Sequence, residues 1–203
     1  MIWMMVLAAY LIGSIPTALW MGKYFFQVDI RNHGSKNPGA TNTLRVMGKK
    51  AAIIVLLIDG GKGMLAASLP LIFNVPVESL YAGLIAVIGH CFPIFAGFRG
   101  GKAIATTAGV LLIADVGMFL AVYLTFFTVI LLTKYVFIGS ISVGIAMLIY
   151  SFFSPNIEEP LIFTAFIILL LFLHRSNIQN FFNGSEPKIT DKKGRDRIPP
   201  KKR

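Results

Sequence analysis

The chain has 203 residues, 56% of them hydrophobic and only 14% charged, with a formal net charge of +10. A soluble domain carries about 25% charged residues, and the apolar excess here lies in long runs, so the composition reads as a polytopic α-helical membrane protein. The single cysteine, Cys91, excludes a disulfide framework and any cysteine-cluster metal site.

The first apolar run, 2–24, has no basic segment before it and is too long for a signal h-region, so it is expected to be a span rather than a cleavable signal. A polar loop follows, RNHGSKNPGATNTLR from Arg31 to Arg45. Further apolar runs cover 51–73, 79–98, 104–113, 118–133, 137–153 and 160–174. The stretch 103–133 is too long for one span and is divided at Ala114–Gly117. Its first piece, about 15 Å as a helix, cannot cross about 30 Å of hydrocarbon and is expected to start within the protein. The expected fold is all-α, an integral membrane bundle of about seven transmembrane helices. Residues 1–189 form one domain, and the basic, apolar-poor tail 190–203 is expected to be disordered.

Charge sets the orientation. Lys62 apart, every Lys and Arg falls in 23–50, in 99–102, at Lys134 or in 175–203. The alternate connections hold acids only, Glu78, Asp115, Glu158 and Glu159. This positive-inside pattern places the N-terminus outside and the C-terminus in the cytoplasm, whereas six crossings would separate Lys134 and the tail from the basic first loop. It accounts for the charge without nucleic acid, and the tail is also expected to touch anionic lipid.

Polar stretches on the expected cytoplasmic side carry the candidate chemistry. In the first loop, Gly34 and Gly39 permit N–H groups to converge. Ser35, Asn37 and Asn42 add neutral donors, and Lys36 and Arg45 cationic ones, a set suited to phosphate. An ordinary turn carrying orienting charge is the other reading. In GHCFPIFAGFRGGKAIAT, Gly89 to Thr106, the run Arg99–Lys102 is expected to open a helix and offer N–H groups to an anion. It is not a Walker A loop, because Ala103 follows the lysine. His90 is read as a buried, hydrogen-bonded residue. Ser140 either caps a helix or reaches a ligand. His174 and Asn177 are three apart and are expected to share a helical face. Asp59 and Lys62 lie deep in the second span, where i,i+3 spacing lets them pair while Gly60, Gly61 and Gly63 pack helices.

This inventory is rich in anion binders and poor in conventional catalysts: it holds no cytoplasmic carboxylate pair, zinc set or G-x-S-x-G elbow. A reaction between two phosphate-bearing molecules fits, with the protein aligning anions and stabilising charge. GSKNPGATNTLR, GHCFPIFAGFRGGKAIAT and HRSNIQNFFNGSE, in this order, together with GSIPTALW in the first span, resemble the bacterial acyl-phosphate:glycerol-3-phosphate acyltransferases, the PlsY family, from Gly13 to Glu186. The resemblance implies transfer of a fatty acyl group from acyl phosphate to glycerol-3-phosphate, giving lysophosphatidic acid at the inner face of the bacterial cytoplasmic membrane. It implies no cofactor or metal.

Carried over by that resemblance, the catalytic residues are Ser35, Arg45, Lys102, His174 and Asn177. Asn37, Asn42, Gly100, Gly101 and Ser140 are substrate- or phosphate-binding, and Glu186 is structural. The chain is expected to be a monomer in contact with membrane lipids. Three positions depart from the family pattern: Ala103 where Gly is common, Phe137 where Ser is usual, and Lys134 where Arg is usual. A transporter of a phosphorylated or carboxylated organic anion is the alternative, but no internal repeat supports it.

Overall fold

The structure is a computed structural model that describes residues 1–191 and 198–200. Every regular element among them is helical. The first apolar run is not one helix: α1 (Ile2–Gly13) and α2 (Thr17–Met21) meet at a bend of 41°. Pro16 explains the break, since it has no N–H to donate and disfavours helical backbone at Ile15. A π-helical turn, Gly22–Phe26, continues α2 and ends at Gln27, whose φ is 58°. Inside the polar loop lies a short helix absent from the sequence reading, α3 (Ala40–Val46).

The remaining apolar runs become α4 (Lys49–Ile72), α5 (Ser79–Cys91), α6 (Ile104–Ala114), α7 (Val116–Thr133), α8 (Val136–Ser151) and α9 (Glu159–Leu173). A terminal helix, α10 (Arg175–Phe182), follows α9 across a 56° bend. By length and apolarity Lys49–Ile72, Ser79–Ala96 and Val116–Thr133 can each cross a membrane, and each bent pair qualifies as one further span. At 11 and 16 residues, α6 and α8 reach only about 16 and 24 Å. The start of α6 is enclosed by protein: Ala103 and Thr106 are buried.

By packing, the expected domain divides into two compact units, Met1–Asp115 with the described part of Lys193–Arg203, and Val116–Lys192. In the first, α1 and α4 pack on α5, and α6 packs on α4. The α4–α6 crossing is close because Gly63 faces the Thr106 carbonyl and Gly109 faces the Gly60 carbonyl, with no side chain between. Gly61 instead faces open space. Asp59 and Lys62 pair as expected, Nζ to Oδ1 at 3.0 Å, both buried. A second cluster, Ala18, Ile30, Val46, Met47, Ala51 and Val55, fixes the polar loop onto the base of α4. Of the tail, 192–197 and 201–203 lie outside the described residues. Ile198 packs against that cluster and donates its N–H to the Val46 carbonyl at 2.8 Å. In the second unit α8 packs between α7 and α9, burying Met147, Phe163 and Leu170. Tyr135, Phe137 and Phe181 form an edge-to-face cluster beside α10.

Candidate active site

The first polar loop is built around two side chains. Asn42, fully buried on α3, accepts from the Ser35 N–H through Oδ1 at 2.9 Å. Its Nδ2 donates to the His33 carbonyl at 3.0 Å and, more weakly, to that of Ile30 at 3.4 Å. Gly34 (φ 57°) lies against Asn42 and Val46, where a Cβ would collide with the Asn42 amide. Asn42 is therefore consumed in shaping the loop rather than offered to a ligand. Ser35 is left exposed, while Asn37 and Arg45 are half-buried. Among the described residues no carboxylate pairs with Arg45.

The second side chain is Arg31. It grips Asp29 with Nε and Nη2, at 3.0 and 2.7 Å, and donates from Nη1 to the Ala96 carbonyl at 2.9 Å. That fork holds the Asp29 carboxyl below the ordinary aspartate range, the hydrogen bond from Arg31 outweighing the opposing cost of partial burial. Ala96 closes the short turn Ile94–Ala96, so Arg31 ties the first polar loop to the second. Sequence reasoning passed over Arg31. Its cross-loop partner lies 65 residues away and is a backbone carbonyl, which leaves no pattern in the chain.

The second loop departs from expectation. Arg99–Lys102 does not open a helix; α6 begins at Ile104, after Ala103 in left-handed backbone (φ 56°). The Gly100 N–H donates to the Cys91 carbonyl and the Gly101 N–H to the His90 carbonyl, both at 3.1 Å. These amides satisfy the end of α5, and the turn's charged groups are the exposed Arg99 and the half-buried Lys102 side chains. Both glycines are sterically required: a Cβ on Gly100 would strike the His90 carbonyl and Pro93, and one on Gly101 the His90 ring. Pro16, Pro38, His90, Arg99, Gly100 and Gly101 line a narrow cleft of about 10 Å³, room for about one water.

The other candidates lie in the second unit. Ser140 is buried in the first turns of α8 and donates to the Val136 carbonyl at 3.0 Å; the N-cap is Tyr135, so Ser140 is not a cap. His174 is buried at the junction of α9 and α10, where it is the C-cap of the first and the N-cap of the second, three positions before Asn177 on α10. Its Nδ1 lies 2.8 Å from the Leu170 carbonyl. A carbonyl only accepts, so Nδ1 is the donor in this contact. Asn177 donates to Glu186 Oε1 at 2.7 Å, and Asn180 reaches Oε2 at 3.5 Å, folding the chain after α10 back on that helix.

Comparison with known proteins gives this arrangement a class. The sequence model of the glycerol-3-phosphate acyltransferase family matches residues 3–184. The chain is 45% identical over 187 residues to the glycerol-3-phosphate acyltransferase of Geobacillus kaustophilus, covering 92% of this chain and 95% of that one. It is also 45% identical over 186 residues to that of Bacillus subtilis, covering 92% and 96%. Among solved structures it resembles PlsY, an integral membrane glycerol 3-phosphate acyltransferase, in its glycerol 3-phosphate form. There the TM-score is 0.84 and the identity 32%, over 92% of this chain and 94% of PlsY. The lysophosphatidic acid form of PlsY matches with a TM-score of 0.79 and 30% identity over the same shares. Fold and relatives together define an integral membrane acyltransferase of lipid biosynthesis. Within that class, the chain belongs to the glycerol-3-phosphate acyltransferase family.

Proposed function

We propose that this chain transfers a fatty acyl group from acyl phosphate to glycerol-3-phosphate, forming lysophosphatidic acid and inorganic phosphate, the first acylation of bacterial phospholipid synthesis. It works as a monomer in the cytoplasmic membrane, with its site on the cytoplasmic face, where the positive-inside distribution puts both basic loops. The observation that carries this reading is the joining of those loops at one cleft. Arg31 bonds the Ala96 carbonyl at 2.9 Å, so Ser35–Arg45 and Arg99–Lys102 stand at the same end of one compact unit.

The chemistry asks little of the protein beyond placement and charge. Acyl phosphate is a mixed anhydride, so its phosphate is already a good leaving group. A hydroxyl oxygen of glycerol-3-phosphate attacks the acyl carbonyl carbon, the bond from that carbon to the phosphate oxygen breaks, and phosphate leaves with the electron pair. The hydroxyl proton passes to the departing phosphate, with His174 Nε2 as the competing acceptor. Arg45 and Lys102 hold phosphate oxygens and stabilise their charge, Arg45 as a fork and Lys102 as a point charge. Ser35 and Asn37 orient substrate. Asn42, Gly100 and Gly101 act through loop shape, and Glu186 positions Asn177. In the second unit Ser140, His174 and Asn177 are proposed to contact glycerol-3-phosphate.

The test is purified protein with acyl phosphate and glycerol-3-phosphate, followed by phosphate release and mass spectrometry of the lipid product, beside Lys102→Ala. Stoichiometric phosphate and lysophosphatidic acid from the unmutated protein, and their loss in the variant, are expected. Product only from acyl-CoA or acyl carrier protein would overturn the donor assignment. A stable acyl adduct on Ser35 after incubation with acyl phosphate alone would replace direct transfer by a covalent route.

A further inference from the structure

One buried group of polar residues is untouched by the mechanism above, and it lies directly under the second loop. Asp59 Oδ1 accepts from Thr17 Oγ1 at 2.9 Å and pairs with Lys62 Nζ at 3.0 Å, while Lys62 also donates to the Ile15 carbonyl at 2.9 Å. The same carboxylate oxygen lies 3.8 Å from His90 Nδ1, and Thr106 Oγ1 reaches that nitrogen at 3.3 Å. All five side chains are buried. The group joins α2, the α1–α2 break, α4, α5 and α6.

A buried ion pair within a membrane span is costly and does not persist for packing alone when apolar residues would fill the same volume. What distinguishes this one is its neighbour. The His90 ring, met on one edge by Thr106 Oγ1 with the Asp59 carboxylate packed beside it, presses the other against Gly101, leaving no room for a Cβ, and its backbone carbonyl takes the Gly101 N–H. Gly101 precedes Lys102 directly. We infer that His90 is a positioning residue, held by Thr106 and packed beside the Asp59–Lys62 pair, that sets the Gly100–Gly101 turn and so the place where Lys102 meets a substrate phosphate.

The phosphate part rests on the proposed function; the positioning part does not. Removing one charge of the pair would leave the other buried and unpaired, so the informative variant is the double Asp59→Asn/Lys62→Met, which keeps the volume and neutralises both. Two readouts are taken on the full chain in lipid nanodiscs: steady-state constants with acyl phosphate and glycerol-3-phosphate, and hydrogen exchange of peptides covering 98–103. The double variant is expected to melt close to the unmutated protein yet exchange faster in 98–103. Its KM for one phosphate-bearing substrate should rise about tenfold, equivalent to about 1.4 kcal/mol, with kcat changed far less. Unchanged exchange in 98–103 overturns the inference whatever the activity, and so does faster exchange with unmutated KM values. If the unmutated protein transfers no acyl group, the proposed function fails and the exchange arm alone decides the positioning role.

Discussion

Asn42→Ala is the sharpest test of the first loop. The buried amide makes two firm hydrogen bonds, at 2.9 and 3.0 Å, and a long one at 3.4 Å, and all three hold the backbone that carries Ser35. Each firm bond contributes about 1 kcal/mol net, and a buried partner left unpaired adds about 1–3 kcal/mol. Ser35 is exposed, so water can reach its freed N–H, which keeps the total near the low end at about 2 kcal/mol. If that energy is spent holding Ser35 and the flanking backbone in working geometry, its loss lowers kcat/KM by up to about 30-fold. Asn42→Asp should be worse, because its second oxygen would face the His33 carbonyl where a donor now stands. The assay is acyl transfer at saturating acyl phosphate and varied glycerol-3-phosphate, with hydrogen exchange over 30–36 as the structural readout. An Asn42→Ala protein within about twofold of the unmutated kcat/KM, its loop exchanging normally, would show that the loop does not depend on this amide.

Gly101→Ala places a methyl against the His90 ring, which Thr106 and Asp59 prevent from turning away; overpacking of about 1–3 kcal/mol is expected, with a lower melting temperature and acyl transfer reduced about tenfold or more. Gly61→Ala is the matched control: it faces open space inside α4 and should leave stability and activity unchanged or slightly improved. The Arg31–Asp29 clamp predicts a one-sided pH response. Asp29 titrates below its unfolded value of about 3.9, so its contribution is complete above that pH and is lost as pH falls through the folded value. Protection factors of amides over 27–36, taken against the intrinsic exchange rate at each pH, should therefore be flat from neutrality down to about pH 5 and fall below about pH 4, and Asp29→Asn should remove that acid-side step. Glu186→Ala should lower the melting temperature more than Glu186→Gln, which keeps one carbonyl oxygen for Asn177 or Asn180; equal melting temperatures would deny Glu186 a structural role.

The helices were readable in the chain because a lipid-facing helix needs little more than an unbroken apolar run. Expected runs and observed helices differ by at most a few residues for α4, α6, α7, α8 and α9. The run 79–98 corresponds to the span Ser79–Ala96, within which α5 ends at Cys91 and Pro93 follows in extended backbone. The α1–α2 break had a signal in Ser14–Ile15–Pro16 that the apolar count overrode. The bend at His174 had none, for neither Gly nor Pro stands there. At the site, residue types were legible but their hydrogen-bond partners were not. Asn42 looks like Asn37 in the string, and only the fold turns one inward to Ser35 and His33. Ala103 is a case where a family departure acquires a physical meaning. Its left-handed backbone is what a glycine would adopt at no steric cost, which explains why Gly is common there.

The glycine turn also changes the picture of phosphate recognition. A P-loop holds phosphate with backbone amides at a helix start, an arrangement insensitive to side-chain substitution. Here the amides of Gly100 and Gly101 are spent on the carbonyls of Cys91 and His90, and the seven-residue helix inside the polar loop, α3, buries Asn42 against the backbone of Ile30, His33 and Ser35 and Thr43 against the Gly39 carbonyl. Each loop thus spends these backbone groups on its own shape, Asn42 fastening the first within itself and Arg31 tying it to the second. On the proposed function the ligand is met by side-chain charge, with Arg45 on one loop and Lys102 on the other as the proposed phosphate contacts. Binding by cationic side chains depends on how well the loops that carry them are placed. That is why Asn42, Gly101 and His90, proposed to act through loop shape, are expected to weigh on the reaction almost as heavily as the cations themselves.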